Sequence, residues 1–159
     1  MFHFCVWYKI NKVCYKNSVE QAAKLLGTPQ HLPHITIKSK IESFDDAVEV
    51  YNRFRGIPVI GFEPAGKAKQ TSEKMFLLHK IVDFHAIEIP MKLKTGTNLE
   101  YENGIHFSLA YGSRAFTPVE VGMAYVSNPL SPLKSEDIHL CVARCSDEDP
   151  SKWNIVYPR

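Results

Sequence analysis

Two short segments of this chain share a pattern, a histidine followed two positions later by a hydroxyl side chain. The first, PHITIKS, contains His34 and Thr36, and the second, GIHFSLAYG, contains His106 and Ser108. Both segments alternate in a way that is typical of β-strands, in which residues two apart lie on the same face. Each segment therefore presents an imidazole beside a hydroxyl on one face and apolar residues on the other. Because the pattern occurs twice, we expect two similar halves that face one shared cleft.

Length and composition indicate a folded, soluble chain. The sequence has 159 residues, of which 45% are hydrophobic and 23% are charged, and this balance excludes intrinsic disorder. A chain of this length is expected to form a single domain over residues 1–159. The formal net charge of +2 argues against a strong, non-specific nucleic-acid binder, which would be far more basic.

The four cysteines, Cys5, Cys14, Cys141 and Cys145, show no CxxC spacing, so a structural zinc site is not expected. We expect free thiols, most of them buried, in a reducing compartment. No apolar run approaches the ~20 residues that a membrane-spanning helix needs. The apolar N-terminal segment is short and lacks the basic leader of a secretory signal. These features predict a cytoplasmic protein without a membrane partner.

The order of predicted elements indicates the α+β class, with helices outside a largely antiparallel sheet. Periodicity predicts strands over residues 2–10, 33–41, 58–62, 74–82, 85–91, 105–111, 138–144 and 154–157. It predicts helices over residues 19–26, 44–55 and 118–124, with Ser18, Ser43 and Thr117 as their respective N-caps. The polar stretches 63–73 and 92–104 are predicted to be loops.

Two histidines on one face suit a particular chemistry, the cleavage of a phosphodiester. This reaction needs a base for the attacking oxygen and an acid for the departing oxygen, and imidazole can serve as either near neutral pH. The hydroxyls of Thr36 and Ser108 can hold the phosphoryl oxygens. Neither motif brings a carboxylate or cysteine with the spacing of metal ligands, so we expect neither a metal nor any other cofactor.

The two motifs resemble the paired His-x-Thr/Ser signatures of the 2H phosphoesterase superfamily, which includes RNA 2′,3′-cyclic phosphodiesterases and 2′-5′ RNA ligase-like proteins. The resemblance spans nearly the whole chain. It implies a bilobal fold, in which two antiparallel sheets form a concave cleft with helices outside. It also implies that His34 and His106 are catalytic and that Thr36 and Ser108 bind the phosphate. The assignment of acid and base stays open.

One segment departs from the superfamily pattern. Members often have an amphipathic helix before the second motif, where this chain has the polar sequence KLKTGTNLEYENG. The resemblance therefore leaves three substrate classes open: 2′,3′-cyclic phosphate ends, 2′-5′-linked oligoadenylates, and cyclic dinucleotides such as cyclic GMP-AMP. The modest charge favours a nucleotide or short RNA substrate over a long RNA. No obligate protein partner is evident.

Five further residues are candidates for substrate contact. Lys38 continues the face of the first motif, and Arg114 follows the second motif, where it can pair with a second phosphate. Tyr111 belongs to the core under strict alternation, but a bulge would turn it toward the cleft. Trp7 and Tyr8 lie on opposite faces of the first strand, so one of them is expected to line the concave side and to offer a ring for base stacking.

The remaining histidines have no paired motif, and we expect structural or surface roles for them, although His31 lies close enough to the first motif to border the cleft. They are His3, His31, His79, His85 and His139.

Two alternatives to an enzyme are open. The same cleft can belong to a non-catalytic nucleotide- or RNA-binding module, although binding alone does not require two titratable imidazoles. The aromatic N-terminal strand can also serve as an exposed edge for a protein partner, but it is very apolar for such a role.

Overall fold

The computed structural model describes residues 4–77, 80–95, 105–126, 130–147 and 149–158. In these ranges the chain forms three α-helices: α1 (Val13–Leu26), α2 (Phe44–Arg55) and α3 (Pro118–Val126). It also forms nine β-strands: β1 (Phe4–Ile10), β2 (His34–Ile41), β3 (Val59–Pro64), β4 (Lys69–Leu77), β5 (Lys80–Thr95), β6 (His106–Gly112), β7 (Leu133–Lys134), β8 (Ile138–Arg144) and β9 (Asn154–Tyr157).

The fold belongs to the α+β class, and its strands form a strongly curled antiparallel sheet. The strand order is β7-β3-β5-β6-β2-β1-β8-β9, and β4 also pairs with β5. Two sheets were expected from the sequence, but hydrogen bonds join all nine strands into one sheet. The connection between the two halves is narrow, since β2 and β6 pair only at Ile35 with Phe107 and at Thr36 with His106. Both motif strands therefore lie side by side at the centre.

Strand β5 holds one half of the sheet together because it is 16 residues long. It pairs with β3 and β4 along successive parts of its length and with β6 near its middle. The sequence prediction was wrong here in three respects. Residues 74–82 were expected to form one strand, but residues 74–77 belong to β4 and residues 80–82 to β5, and these two strands pair antiparallel. Residues 69–73 belong to β4 and residues 92–95 belong to β5, although both segments were expected to be loops. The remainder of the expected 92–104 loop, residues 96–104, lies outside the described residues.

Helix α1 begins six residues before the position that its sequence suggested. The helix starts at Val13 after Lys12, whose side chain makes no capping hydrogen bond. Ser18, the expected cap, lies inside the helix and donates its hydroxyl to the carbonyl oxygen of Cys14 at 2.8 Å. Serine inside a helix commonly bonds back to the residue four positions earlier, so this residue type did not mark the boundary.

The predicted starts of α2 and α3 are confirmed, although α3 ends at Val126, two residues later than expected. Ser43 caps α2 by accepting a hydrogen bond from the Asp46 backbone at 3.0 Å. Thr117 and Glu120 form a reciprocal capping box at the start of α3, as expected from a threonine before proline. The predicted strands over residues 138–144 and 154–157 match β8 and β9.

The helices cover one face of the sheet. Alternate residues of β1, including Val6 and Tyr8, are buried on this face with α1 and α2 residues. The other face, which we call the open face, carries a separate cluster: Cys5, Trp7, Phe84, Ala86, Tyr111, Cys141, Ala143, Cys145 and Trp153. No helix among the described residues combines the length and apolar character needed to cross a membrane.

Candidate active site

A cavity of about 220 Å³ opens on the open face, and both motif histidines line it together with Thr36. The pairing of β2 with β6 explains why. Thr36 lies directly opposite His106, so His34, two residues away on the same face, is the diagonal neighbour of His106. Diagonal neighbours in an antiparallel pair are about 7–8 Å apart, and both imidazoles line this one cavity.

The position of His34 is fixed by three contacts. Its Nδ1 lies 2.6 Å from the carbonyl oxygen of Leu32, and because a carbonyl only accepts, Nδ1 carries the proton. The other nitrogen, Nε2, is then an acceptor in the neutral ring. The Tyr111 hydroxyl lies 3.4 Å from His34 Nε2. At this distance a hydrogen bond is weak, so the lone pair of Nε2 is only weakly engaged.

The indole ring of Trp7 packs against the imidazole of His34. The two rings stack with centroids 3.7 Å apart and planes 14° apart, and both side chains are buried. Burial lowers the pKa of His34 well below its usual value, and the nearby His31 and His106 rings lower it further. His34 is therefore neutral near pH 7, with its accepting nitrogen unprotonated.

His106 has a different neighbour, the carboxylate of Glu88. Its Nε2 lies 3.3 Å from Glu88 Oε1, and the Thr71 hydroxyl donates to the same oxygen at 2.8 Å. Glu88 and Thr71 belong to β5 and β4, which pair along this stretch. Both also line the cavity. Sequence reasoning did not identify either residue, because neither lies within a motif.

Each motif strand has a bulge at the third residue after its histidine. Thr36 pairs with Trp7 while Lys38 pairs with Val6, which leaves Ile37 as the extra residue of β2. The register between β5 and β6 shifts in the same way, which leaves Leu109 as the extra residue. An extra residue reverses the alternation of the strand that contains it, so the faces of the following side chains change.

The bulges bring the fifth residue after each histidine into the cavity. These residues are Ser39 on β2 and Tyr111 on β6, and both line it. Tyr111 was expected in the core unless a bulge intervened, and the structure contains that bulge. Burial raises the pKa of Tyr111, so its hydroxyl stays protonated. Ser39 had been overlooked because strict alternation places it on the opposite face.

Ser108 differs from Thr36 in its accessibility. Its side chain is 1% exposed, and among the described residues its hydroxyl makes no hydrogen bond of good geometry. It nevertheless lies close enough to the Tyr111 hydroxyl to influence the pKa of that group. The carbonyl oxygen of Ser108 accepts a hydrogen bond from His31 Nε2 at 2.9 Å. Ser108 is not among the residues that line the cavity, whereas Thr36 and the equally buried His34 are.

Three candidate substrate contacts lie elsewhere. Lys38 is exposed and is turned away by the β2 bulge. Arg114 is exposed and pairs with Glu120 at 3.0 Å, at the start of α3. Tyr8 is buried on the helix-covered face against Phe62, so Trp7 is the residue of this pair that reaches the cavity.

Two thiols also border the cavity. Cys5 and Cys145 are free, buried and in mutual contact. Burial raises the pKa of the Cys145 thiol, which favours its unreactive, protonated form. Within the described ranges, no three His, Cys, Asp or Glu side chains are grouped so that they could hold a metal ion.

Neither a protein-family model nor a curated protein matches this chain. The similarity to 2H phosphoesterases therefore depends on the two motifs themselves. The contacts of the motif residues and the cavity that they line are the other observations that support a functional proposal.

Proposed function

We propose that this protein is a metal-independent phosphodiesterase of the 2H type. Its substrates would be nucleotides or short RNAs that carry a 2′,3′-cyclic phosphate or a 2′-linked phosphate, cyclic dinucleotides such as cyclic GMP-AMP included. In this proposal the two halves of the curled sheet, joined at β2 and β6, correspond to the two lobes of that superfamily. The observation that carries the proposal is the placement of His34, Thr36 and His106 around one cavity.

His34 is suited to the role of general base. Its proton is held on Nδ1 by the Leu32 carbonyl, so Nε2 can accept a proton from the attacking oxygen of water or of a 2′-hydroxyl. The lowered pKa of His34 keeps that nitrogen unprotonated at neutral pH. General bases of this kind contribute about 10²–10⁴-fold to the rate.

His106 then serves as general acid. As the oxygen–phosphorus bond to the attacking group forms, the bond to the leaving ribose oxygen breaks, and His106 donates a proton to that oxygen. Thr36, directly opposite His106, donates its hydroxyl hydrogen to a phosphoryl oxygen. When water attacks, His34 ends the step with one added proton and His106 with one fewer. His34 then releases its proton to solvent and His106 takes one up from solvent, so the enzyme returns to its starting state.

The size of the cavity suggests how the substrate is held. Its volume of about 220 Å³ lies below the ~300–1,000 Å³ that is usual for sites enclosing a small organic ligand. A phosphate with part of its ribose fits such a space, and the base would remain outside. This arrangement favours recognition of the phosphodiester linkage over recognition of the base.

A direct test compares wild type with His34→Ala and His106→Ala on three substrates, in the presence of a chelator. The substrates are a nucleoside 2′,3′-cyclic phosphate, a 2′-5′-linked oligoadenylate and cyclic GMP-AMP, and products are identified by mass spectrometry. We expect each variant to lose about 10²–10⁴-fold in kcat/KM. The exposed His139 provides a matched control, since His139→Ala should retain full activity.

Full activity in either His34→Ala or His106→Ala would refute the proposal. Tight binding by wild type of a ligand that is recovered unchanged would instead identify a binding module.

A further inference from the structure

Trp7 and Glu88 occupy matching positions in the two halves of the site. Trp7 pairs with Thr36 on the strand that flanks β2, and Glu88 pairs with Ser108 on the strand that flanks β6. Each residue is thus the partner of a motif hydroxyl and the diagonal neighbour of a motif histidine. Each also contacts that histidine, by ring stacking in one half and through a carboxylate in the other.

The two neighbours have opposite chemical character. An indole face stacked on a buried ring leaves His34 without a counter-charge, which suits a neutral base. A carboxylate beside His106 accepts a hydrogen bond from the ring and balances the charge of a protonated ring. The two halves therefore differ at this matched position, whose side chain contacts the motif imidazole in each half.

We propose that Glu88 is the positioning residue that fixes His106 as the general acid, and that Thr71 holds Glu88 in place. This inference rests on the proposed function. Glu88 acts through His106 and not on the substrate. The contact between Glu88 Oε1 and His106 Nε2 at 3.3 Å fixes the orientation of the imidazole, as carboxylates do for other functional histidines.

Charge in the cavity supports this role. A carboxylate beside a bound phosphate diester would repel it, unless a cation lies between them or beside them. The described ionisable groups that line the cavity with His106 are Glu88 on β5, His34 on β2, Tyr111 on β6, Glu73 on β4 and the thiols of Cys5 and Cys145. Glu73 pairs with Lys40 at 2.8 Å. His106, when protonated, is therefore the cation that offsets Glu88.

The kinetic test compares Glu88→Ala, Glu88→Gln, His106→Ala and the Glu88→Ala/His106→Ala double variant. We expect Glu88→Ala to lower kcat by about 10–100-fold, the usual cost of losing such a supporting partner, and to leave KM within about twofold. Glu88→Gln retains an acceptor oxygen and should lose less. In the His106→Ala background, Glu88→Ala should cause no further loss, because residues that act as a unit are not additive. Glu63→Gln, on β3 outside the cavity, is the matched control and should retain wild-type kcat; Glu63 pairs with Lys94 at 2.9 Å.

A second measurement does not depend on activity. Long-range ¹H–¹⁵N NMR of the imidazoles should show His106 nitrogen shifts that change in Glu88→Ala and keep their wild-type values in the matched control. Unchanged His106 nitrogen shifts, multiplicative losses in the double variant, or a rise in KM alone would each overturn the role of Glu88. If wild type cleaves none of the substrates, the proposed function fails, and the NMR result still decides whether Glu88 positions His106.

Discussion

Two buried histidines, His31 and His34, should make the folded protein sensitive to acid. Burial lowers the pKa of His31 from 6.5 to about 4, and it lowers the pKa of His34 in the same direction. The unfolded chain has both histidines exposed, so it binds protons at a higher pH than the folded chain does. Their contribution to stability is therefore present above about pH 6.5 and is lost as the pH falls toward the folded-state pKa.

The size of this effect follows from the shift of His31. A change of one pKa unit corresponds to 1.36 kcal/mol, so a shift from 6.5 to about 4 corresponds to about 3 kcal/mol. Most of that is lost between pH 6.5 and 4.5. Because a typical domain is stable by only about 5–15 kcal/mol, the loss through this one side chain is a large fraction of the total.

The assay is urea unfolding of wild type and His31→Gln at several pH values between 7.5 and 4.5. The glutamine amide can still donate to the Ser108 carbonyl oxygen, which His31 now contacts at 2.9 Å, but it cannot titrate. We expect the free energy of unfolding of His31→Gln to fall by about 2.5 kcal/mol less than that of wild type over this range. His139→Gln, a change at an exposed histidine, should follow wild type. Parallel curves for wild type and His31→Gln would show that His31 is not a buried neutral group.

Four further predictions concern the site and the sheet. Thr36→Val should lower kcat by about 10²-fold, as expected for loss of a donor to the reacting group, and Thr36→Ser should restore most of it. The acid limb of kcat/KM against pH should lie below pH 6.5, because burial lowers the pKa of His34, and a limb above that value would contradict its role as base. Lys38→Ala and Arg114→Ala should each keep kcat/KM within about twofold, because exposed charges outside the cavity are screened; a larger loss in a substrate assay would place either residue on the substrate. Gly61→Ala should destabilise the fold by about 1–3 kcal/mol in urea unfolding, because the added Cβ would collide with the Leu133 backbone, and an unchanged midpoint would refute this.

Local signals in the sequence predicted most elements correctly. Ser43 and Thr117 cap their helices through contacts within three residues, so the sequence around each cap contains the whole interaction. Helix α1 was harder to predict because it begins without a side-chain cap. The end of β5 was missed because its polar composition outweighed its alternation, although Leu93 is half-buried between the exposed Lys92 and Lys94.

The motif residues could be found from the sequence because each histidine and its hydroxyl share one strand. Glu88 could not, because it has no motif of its own and reaches His106 only through the pairing of β5 with β6. The same reasoning explains Ser39, whose direction depends on a bulge that is defined by the register with β1. Register between distant strands is set by the whole sheet, and a single segment does not contain it.

The two bulges lie at equivalent positions in the two halves, whereas the proposed roles of His34 and His106 differ. Both occur at the third residue after a motif histidine, at Ile37 and at Leu109, so the two halves share this backbone feature, although the pairing of β1 with β2 has a second register shift. The side chains that this common backbone presents beside the imidazoles are unlike. A symmetric site with two equal histidines would have no preferred direction for proton transfer. A tryptophan in one half and a glutamate in the other remove that equality, so in the proposed mechanism these two residues, more than the motifs, would set the direction of proton transfer.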